Sequence, residues 1–400
     1  MSKYDAIVIG AGHNGLTNAA YLAKSGLKVL LLEKNDYIGG AAVSRVLHDG
    51  WTYSNCSYVC SLLRPEIFRD LNLQKYGLQV LAYGGSVTFM ENGDIFGGYS
   101  DADMFRREIS RFSKKDADAY VRFSRDVARQ CRFIKPMLLR TPPDPTSFKP
   151  KDLGELIYLF KRLYSLGEQT IYDTIRFYTM SVAEYLEEYF ETDVIKAALS
   201  GSGIIGTGLG PYSPGTAYVL LHHYMGEVDG SIGSWGYARG GMGAISNALA
   251  GAFQDHDGEI KKESEVSQII VKNGRAKGVV LANGDEYYAK NVVSNLDVKR
   301  TYQKLFDPKD LSKKILKQVD NFKIRGSSGK LNIALDGLPE FPAMGEKNPL
   351  IYADMHFIDS LERMERAFDD WKNGRWSRDP YADVLIPTMT DPTMSPPGKH

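Results

Sequence analysis

With 400 residues, the chain is long enough for two domains that share a cleft. Its 43% apolar and 24% charged residues are ordinary for a water-facing protein, and 49 basic residues balance 49 acidic ones, so no net field gathers nucleic acid or an anionic membrane. No window approaches the roughly 18 continuous apolar residues of a bilayer-spanning helix, and the sparse set Cys56, Cys60 and Cys131, without disulfide or metal spacing, suits a reducing compartment, here read as cytoplasmic.

The first strand begins too close to Met1 to leave room for a signal sequence or an Arg-rich leader. Tyr4 to Ile9 is a short apolar run that ends in glycine, the pattern of a buried parallel strand. Asn14 to Ser25 sets Leu16, Ala19, Ala20, Leu22 and Ala23 on a helical face of small residues, and Gly26 stands where a helix C-terminus favours positive φ. Lys28 to Glu33 is a second apolar strand, which completes a βαβ unit of about thirty residues. Val87–Met90 and Asp94–Phe96 flank Asn92-Gly93, which predicts a hairpin with a type I′ turn. Residues 101–200 read as mainly helical, with a proline-rich loop at Thr141–Pro145. Residues 201–243, rich in Gly, Ser, Pro and Tyr, read as a long irregular stretch, and Ala244–Phe253 as a helix. Val266–Val271, Ala276–Leu281 and Glu286–Ala289, separated by Asn273-Gly274 and Asn283-Gly284, predict a β-meander, and Asn291–Asn295 a further strand. Beyond Lys299 the pattern is mixed.

Gly10-Ala11-Gly12-His13-Asn14-Gly15 is a GxGxxG placed between a strand and a helix. Gly10 permits the tight turn, Gly12 lets backbone approach a pyrophosphate, and Gly15 lets helix and strand pack closely. The helix N-terminus then offers unpaired amides to the phosphates. Glu33 closes the second strand, eighteen residues beyond Gly15, where a carboxylate accepts from ribose hydroxyls and disfavours a 2′-phosphate. Lys34 follows it, and Gly39-Gly40 stands six residues after the acid. A glycine pair there lets the chain fold back across the diphosphate of a long extended cofactor, which favours FAD over NAD.

Other motifs carry blander expectations. Gly241-Met-Gly243-Ala-Ile-Ser246 is a near match to a second fingerprint but lacks a preceding apolar strand. Three residues separate Cys56 from Cys60, neither a CxxC redox pair nor a metal spacing. His222-His223 sits among aromatic and aliphatic residues and reads first as an interior or cleft pair, otherwise as a group that orients substrate or accepts a proton near a flavin. No acid lies at zinc-site spacing, so no metal is expected. Leu156-Ile-Tyr-Leu-Phe160, with Leu163, Tyr164 and Leu166, reads first as a core-packed helix, and otherwise as the wall of a lipid tunnel or a peripheral membrane contact.

The run Asp5-Ala-Ile-Val-Ile-Gly-Ala-Gly-His-Asn-Gly-Leu16, with Glu33-Lys34 and Gly39-Gly40-Ala41-Ala42, resembles the phytoene-desaturase-like flavoproteins. So do Tyr58-Val-Cys-Ser-Leu-Leu-Arg-Pro65, Tyr218-Val-Leu-Leu-His-His-Tyr-Met-Gly226, Trp235-Gly-Tyr237, Gly240-Gly-Met-Gly-Ala-Ile-Ser246 and Val292-Val-Ser-Asn295, spread over nearly the whole chain. The resemblance implies an α/β fold: a Rossmann-like FAD-binding domain of the amine-oxidase type from residues 1–75 and 230–300, and a mixed α+β substrate domain from 76–229 and 301–400. It implies FAD, with Gly10, Gly12 and Gly15 on the pyrophosphate, Glu33 on the adenosine ribose, Lys34, Gly40 and Ala41 lining the same channel, and the Val266 backbone at the adenine. Many relatives carry arginine after the glycine pair; here Ala41 and Ala42 follow, and Arg45 is the nearest guanidinium. The family continues for about a hundred residues beyond a segment like Pro-Pro-Gly-Lys-His400, so the resemblance implies a fragment or an incomplete ring half of the site.

The activity implied is hydride transfer from an apolar, carotenoid- or lipid-like substrate to flavin, with quinone or oxygen as the unidentified electron acceptor. A non-catalytic flavin-binding protein, a prenyl-chain reductase and an amine oxidase are the alternatives. No catalytic residue is singled out, and oligomeric state is not legible.

Overall fold

The computed structural model describes residues 3–165, 167–345 and 348–400. Its principal sheet has six strands in the spatial order Glu259–Lys261, Val29–Leu32, Tyr4–Ile9, Glu286–Ser294, Arg275–Leu281, Val266–Lys272. The first four run parallel, and the last two join antiparallel. The Tyr4–Ile9 strand is central, so both its faces must be covered, which is why it is continuously apolar. On one face Ala6 and Val8 pack with the small-residue faces of helices His13–Lys24 and Gly243–Asp255, through Ala19, Ala20, Ala23, Ala248 and Ala252. On the other, Ile7 and Ile9 pack with Val266, Ile269, Val279 and Leu281 of the meander. Gly26 closes the first helix with φ +84°.

Several sequence expectations need correction. The two segments read as separate strands, Glu286–Ala289 and Asn291–Asn295, are one strand, Glu286–Ser294. Its first half pairs antiparallel with Arg275–Leu281 and its second half parallel with Tyr4–Ile9. Lys290, between the two segments, is exposed at the handover and pairs with Asp5 at 2.7 Å. The stretch 201–243 is not irregular throughout: it holds helix Thr216–Tyr224 and strand Trp235–Ala238. That helix is enclosed on most sides, with Ala217, Leu220 and Leu221 at 0% exposure, so it lacks the polar stripe that reveals a helix in sequence.

The predicted hairpin is present as Ser86–Phe89 and Ile95–Gly98, with a different turn. Gly93 alone takes positive φ, at +84°. The Asn92 side chain accepts the Asp94 amide at 2.9 Å, which favours right-handed backbone at Asn92 over the type I′ form. Asn273-Gly274 has both residues at positive φ, +53° and +70°, as a two-residue I′ turn requires.

The hairpin belongs to a second sheet, ordered Asp383–Val384, Asp354–His356, Ser86–Phe89, Ile95–Gly98. Beside it, helices from the 102–224 region enclose an aromatic core around Phe105, Phe123, Phe177, Tyr185 and Phe190. The helix expected to be core-packed, Pro150–Tyr164, buries none of its residues fully. Ile157, Phe160 and Tyr164 are 55%, 68% and 79% exposed. Leu166 lies outside the described residues. No helix among the described residues is long and apolar enough to cross a membrane.

Candidate cofactor site

The candidate site forms at the carboxyl ends of the parallel strands, the usual place for a ligand in such a sheet. The chain leaves Tyr4–Ile9 at Gly10, whose φ of +92° a side chain would oppose and whose amide donates to Leu32 O at 2.8 Å. Gly12 caps the following helix without any side-chain cap, so the first-turn amides are not spent on a neighbouring side chain. A Cβ at Gly15 would stand 2.1 Å from Gly10 O, so this contact demands glycine.

The glycine pair then comes back over this turn. Gly39 N donates to Ala11 O at 2.8 Å, and Gly39 bridges Gly12 in the manner of a parallel strand. A Cβ on Gly40 would meet Gly12 Cα at 3.1 Å, and Gly39 and Gly40 take φ of +117° and +58°. Two side-chain-free segments therefore lie against each other at the helix N-terminus, a cradle that a single Cβ would begin to fill. The residues present fit a dinucleotide diphosphate. Ser246 Oγ donates to Ala42 O at 2.7 Å and pins the chain after the crossing.

Glu33 is 8% exposed. Its Oε2 accepts Ala11 N at 2.8 Å, and Oε1 accepts Asn35 N and Nδ2 at 3.0 and 2.9 Å. An ionised carboxylate offers about four acceptor positions. Glu33 thus fixes the glycine turn and retains about one position for a sugar hydroxyl. Ser264 N donates to Glu33 O at 2.8 Å and Glu263 N to Asn35 O at 3.0 Å, which brings the start of the Val266 strand to the same corner. The Val266 side chain is buried against the sheet.

His13 is half-buried, and burial lowers its pKa, so the ring is neutral near neutral pH. Asn14, Lys34, Gly40 and Ala41 are exposed around the turn. Asn295 joins them, although it was not among the site residues expected from sequence. Its Nδ2 donates to Gly10 O at 3.4 Å and lies 3.0 Å from where a Gly12 or Gly15 Cβ would stand. The signal for it was positional: it follows a strand that neighbours the first, at the same carboxyl edge.

Gly240–Ser246 does not form a second anion site. Strand Trp235–Ala238 precedes it but pairs antiparallel with Val80–Tyr83, away from the principal sheet. Ser44 Oγ accepts Gly243 N at 2.8 Å and Ser54 Oγ accepts Met242 N at 2.9 Å, so that helix start is already capped. Cys56 is exposed while Cys60 and Cys131 are buried. Burial pushes the Cys60 thiol up to about 11 and Cys131 to about 12, against thiolate chemistry. Burial also lowers the pKa of His222 and His223. His223 Nδ1 bonds Val219 O at 2.9 Å, and its ring stacks on Trp235, so it serves packing. His222 lines a cavity of about 270 Å³ with Ser61, Arg64, Lys135 and Glu227.

Residues 15–347 match the family described as flavin containing amine oxidoreductase. The chain is 34% identical to pyridine nucleotide-disulfide oxidoreductase domain-containing protein 2 of Mus musculus, over 100% of this chain and 72% of that protein. It is 25% identical to the lycopene-forming phytoene desaturase of Pseudescherichia vulneris, over 98% of this chain and 74% of the relative. Its fold is that of an oxidoreductase from Methanosarcina mazei, with a TM-score of 0.59 and 17% identity over 99% of this chain and 77% of the other. The glycine cradle, the family match over most of the chain and these relatives agree: the chain belongs to the flavin-containing amine oxidoreductase family, as an FAD-dependent oxidoreductase of phytoene-desaturase-like type.

Proposed function

We propose that the protein takes hydride from an apolar, carotenoid- or lipid-like substrate and passes the electrons on to quinone or oxygen. The observation that carries this reading is the crossing of Gly39-Gly40 over Gly12, which sets backbone against backbone at the helix start. Gly10, Gly12 and Gly15 would hold the pyrophosphate of FAD, with the amides of His13 and Asn14 nearby, while Ala11 N stays on Glu33. Glu33 would accept from the adenosine ribose, Lys34, Gly40 and Ala41 would line the channel, and the Val266 backbone would meet the adenine. FAD, when bound, supplies the two-electron acceptor; the chain supplies position and a defined environment. Residues 1–75 and 230–300 would form the nucleotide-binding part, and 76–229 and 301–400 the substrate part.

An apolar substrate is supported by the exposed face of Pro150–Tyr164, where Leu153, Ile157, Phe160 and Tyr164 project beside Tyr172 and Ile175 of the next helix. Lys149 precedes this helix and Lys161 stands exposed near its far end. Such a surface suits peripheral contact with a bilayer, where long cationic side chains reach the headgroups.

The test uses purified protein. It should carry or take up FAD with a band near about 450 nm that bleaches on anaerobic addition of a carotenoid or another long apolar substrate. Gly12→Val and Gly40→Val should lose the colour while keeping the far-ultraviolet signature of the fold. A band that no apolar substrate bleaches would favour a flavin-binding module without catalysis. Protein that stays colourless in excess FAD would overturn the reading.

A further inference from the structure

Asp354 and His356 are two residues apart on one strand, so their side chains leave the same face of the second sheet. Met355 between them, at 0% exposure, fills the apolar cluster behind. The adjoining short strand sets Asp383 directly opposite His356. His356 Nε2 thereby lies 3.5 Å from Asp354 Oδ2 and 3.7 Å from Asp383 Oδ1. One donor atom from each residue falls within 4.8 Å of the other two.

This arrangement is enclosed and incomplete. His356 is only 8% exposed, and Tyr381 packs against its ring at 5.8 Å. Asp354 Oδ1, Asp383 Oδ1 and His356 Nδ1 are all buried without a hydrogen-bond partner. The strand on the far side sets Thr88 opposite His356, and that hydroxyl is buried and unpartnered too. Among the described residues, neither carboxylate has an ion-pair partner other than His356. The Tyr381 hydroxyl bonds Asp383, but Asp354 Oδ1 and the Asp383 oxygen that faces His356 have no donor, and two carboxylates at one imidazole are costly to bury unless a cation joins them.

We propose that Asp354, His356 and Asp383 bind one divalent transition-metal ion of the zinc and manganese class, through Nε2 and one oxygen of each carboxylate. Metal–ligand distances of about 2.0–2.2 Å in a tetrahedral site set neighbouring ligand atoms about 3.3–3.6 Å apart. The 3.5 and 3.7 Å separations are close to that, and the two carboxylate oxygens, within 4.8 Å of each other, would draw together on the ion. One nitrogen and two oxygens suit zinc or manganese(II) better than a soft ion such as copper(I). Three protein ligands leave a coordination position open, the hallmark of a reactive rather than a purely structural site. No ligand spacing announces this site, because the aspartates and the histidine meet through sheet register.

The experiment takes the full chain, strips it with a chelator, removes the chelator, and titrates zinc chloride and manganese chloride by calorimetry, with metal content read by elemental analysis. One equivalent should bind and raise the thermal midpoint. Asp354→Asn, Asp383→Asn and His356→Gln should each weaken binding about tenfold or more, since even groups that only orient metal ligands are worth 10- to 100-fold. The wild-type stoichiometry needs no variant, so a substitution that fails to fold leaves the central measurement intact. Wild-type protein that binds neither metal, or folded variants that bind as the wild type does, would overturn the proposal. So would stabilisation by methylammonium without stabilisation by either metal, which would assign the cluster to an organic cation.

Discussion

Glu33 shows at the residue level how one side chain serves fold and site together. The carboxylate was expected to face a sugar, and it first accepts the Ala11 amide and two donors from Asn35. Glu33→Gln replaces one acceptor oxygen with a donor that must face donors. We expect a loss of about 1–3 kcal/mol in the stability of flavin-free protein, the cost of an unsatisfied buried polar group, together with weaker FAD retention. Urea unfolding of the stripped protein measures the first effect. An unchanged midpoint would mean that Glu33 has no part in holding the turn. The glycines were legible because their demands are local: φ at Gly10, a close contact at Gly15. Asn295 and the trio Asp354, His356 and Asp383 were not, since each meets its neighbours through strand pairing across distant segments.

Among the elements, two helices misled the sequence in opposite directions. Thr216–Tyr224 is enclosed and has no clear polar face, so its periodicity was hidden by its neighbours. Pro150–Tyr164 has a clear apolar face, and nothing in sequence says whether the protein or something else covers it. Their substitutions should diverge accordingly. Leu220→Ala removes a side chain at 0% exposure and should cost about 2–5 kcal/mol. Ile157→Ser with Phe160→Ser, at 55% and 68% exposure, should change the unfolding free energy by no more than about 0.5 kcal/mol while reducing sedimentation with phosphatidylcholine–phosphatidylglycerol vesicles. A large stability loss in the double variant would return that helix to the core, and unchanged sedimentation would dismiss the membrane contact. The hairpin at Asn92-Gly93 is a milder case: alternation and the glycine located it, but the Asn92 side chain chose the turn.

Across the whole molecule, the parallel strands and the meander were visible because buried strands and Asn-Gly turns leave strong local marks. The second sheet was largely hidden, since two of its strands are only three and two residues long and are defined by their partners. Burial also sets a global response to alkali. Cys60 and Cys131 are pushed from 9.0 to about 11 and about 12 in the fold. Between about pH 9 and those values the unfolded chain has released thiol protons that the folded chain still holds. Stability therefore falls as pH rises, by up to about 1.4 kcal/mol per pH unit for each thiol, and neither thiol contributes a slope below that window. Denaturant midpoints from pH 7 to 10.5 test this, with Cys60→Ala and Cys131→Ala together flattening the upper limb; a wild-type profile that is level throughout would refute it.

The handover within Glu286–Ser294 also has a temporal consequence. Tyr4 finds its sheet partner in Ala289, and Gly10 O its side-chain donor 285 residues along the chain. During synthesis the Tyr4–Ile9 strand must wait with one edge bare until Glu286–Ser294 has been made. Such distant pairings slow folding and leave unpaired edges open to aggregation. Capture of the nucleotide is thereby deferred to a late stage of biogenesis, and nascent chains halted before the last parallel strand are the species most in need of a chaperone.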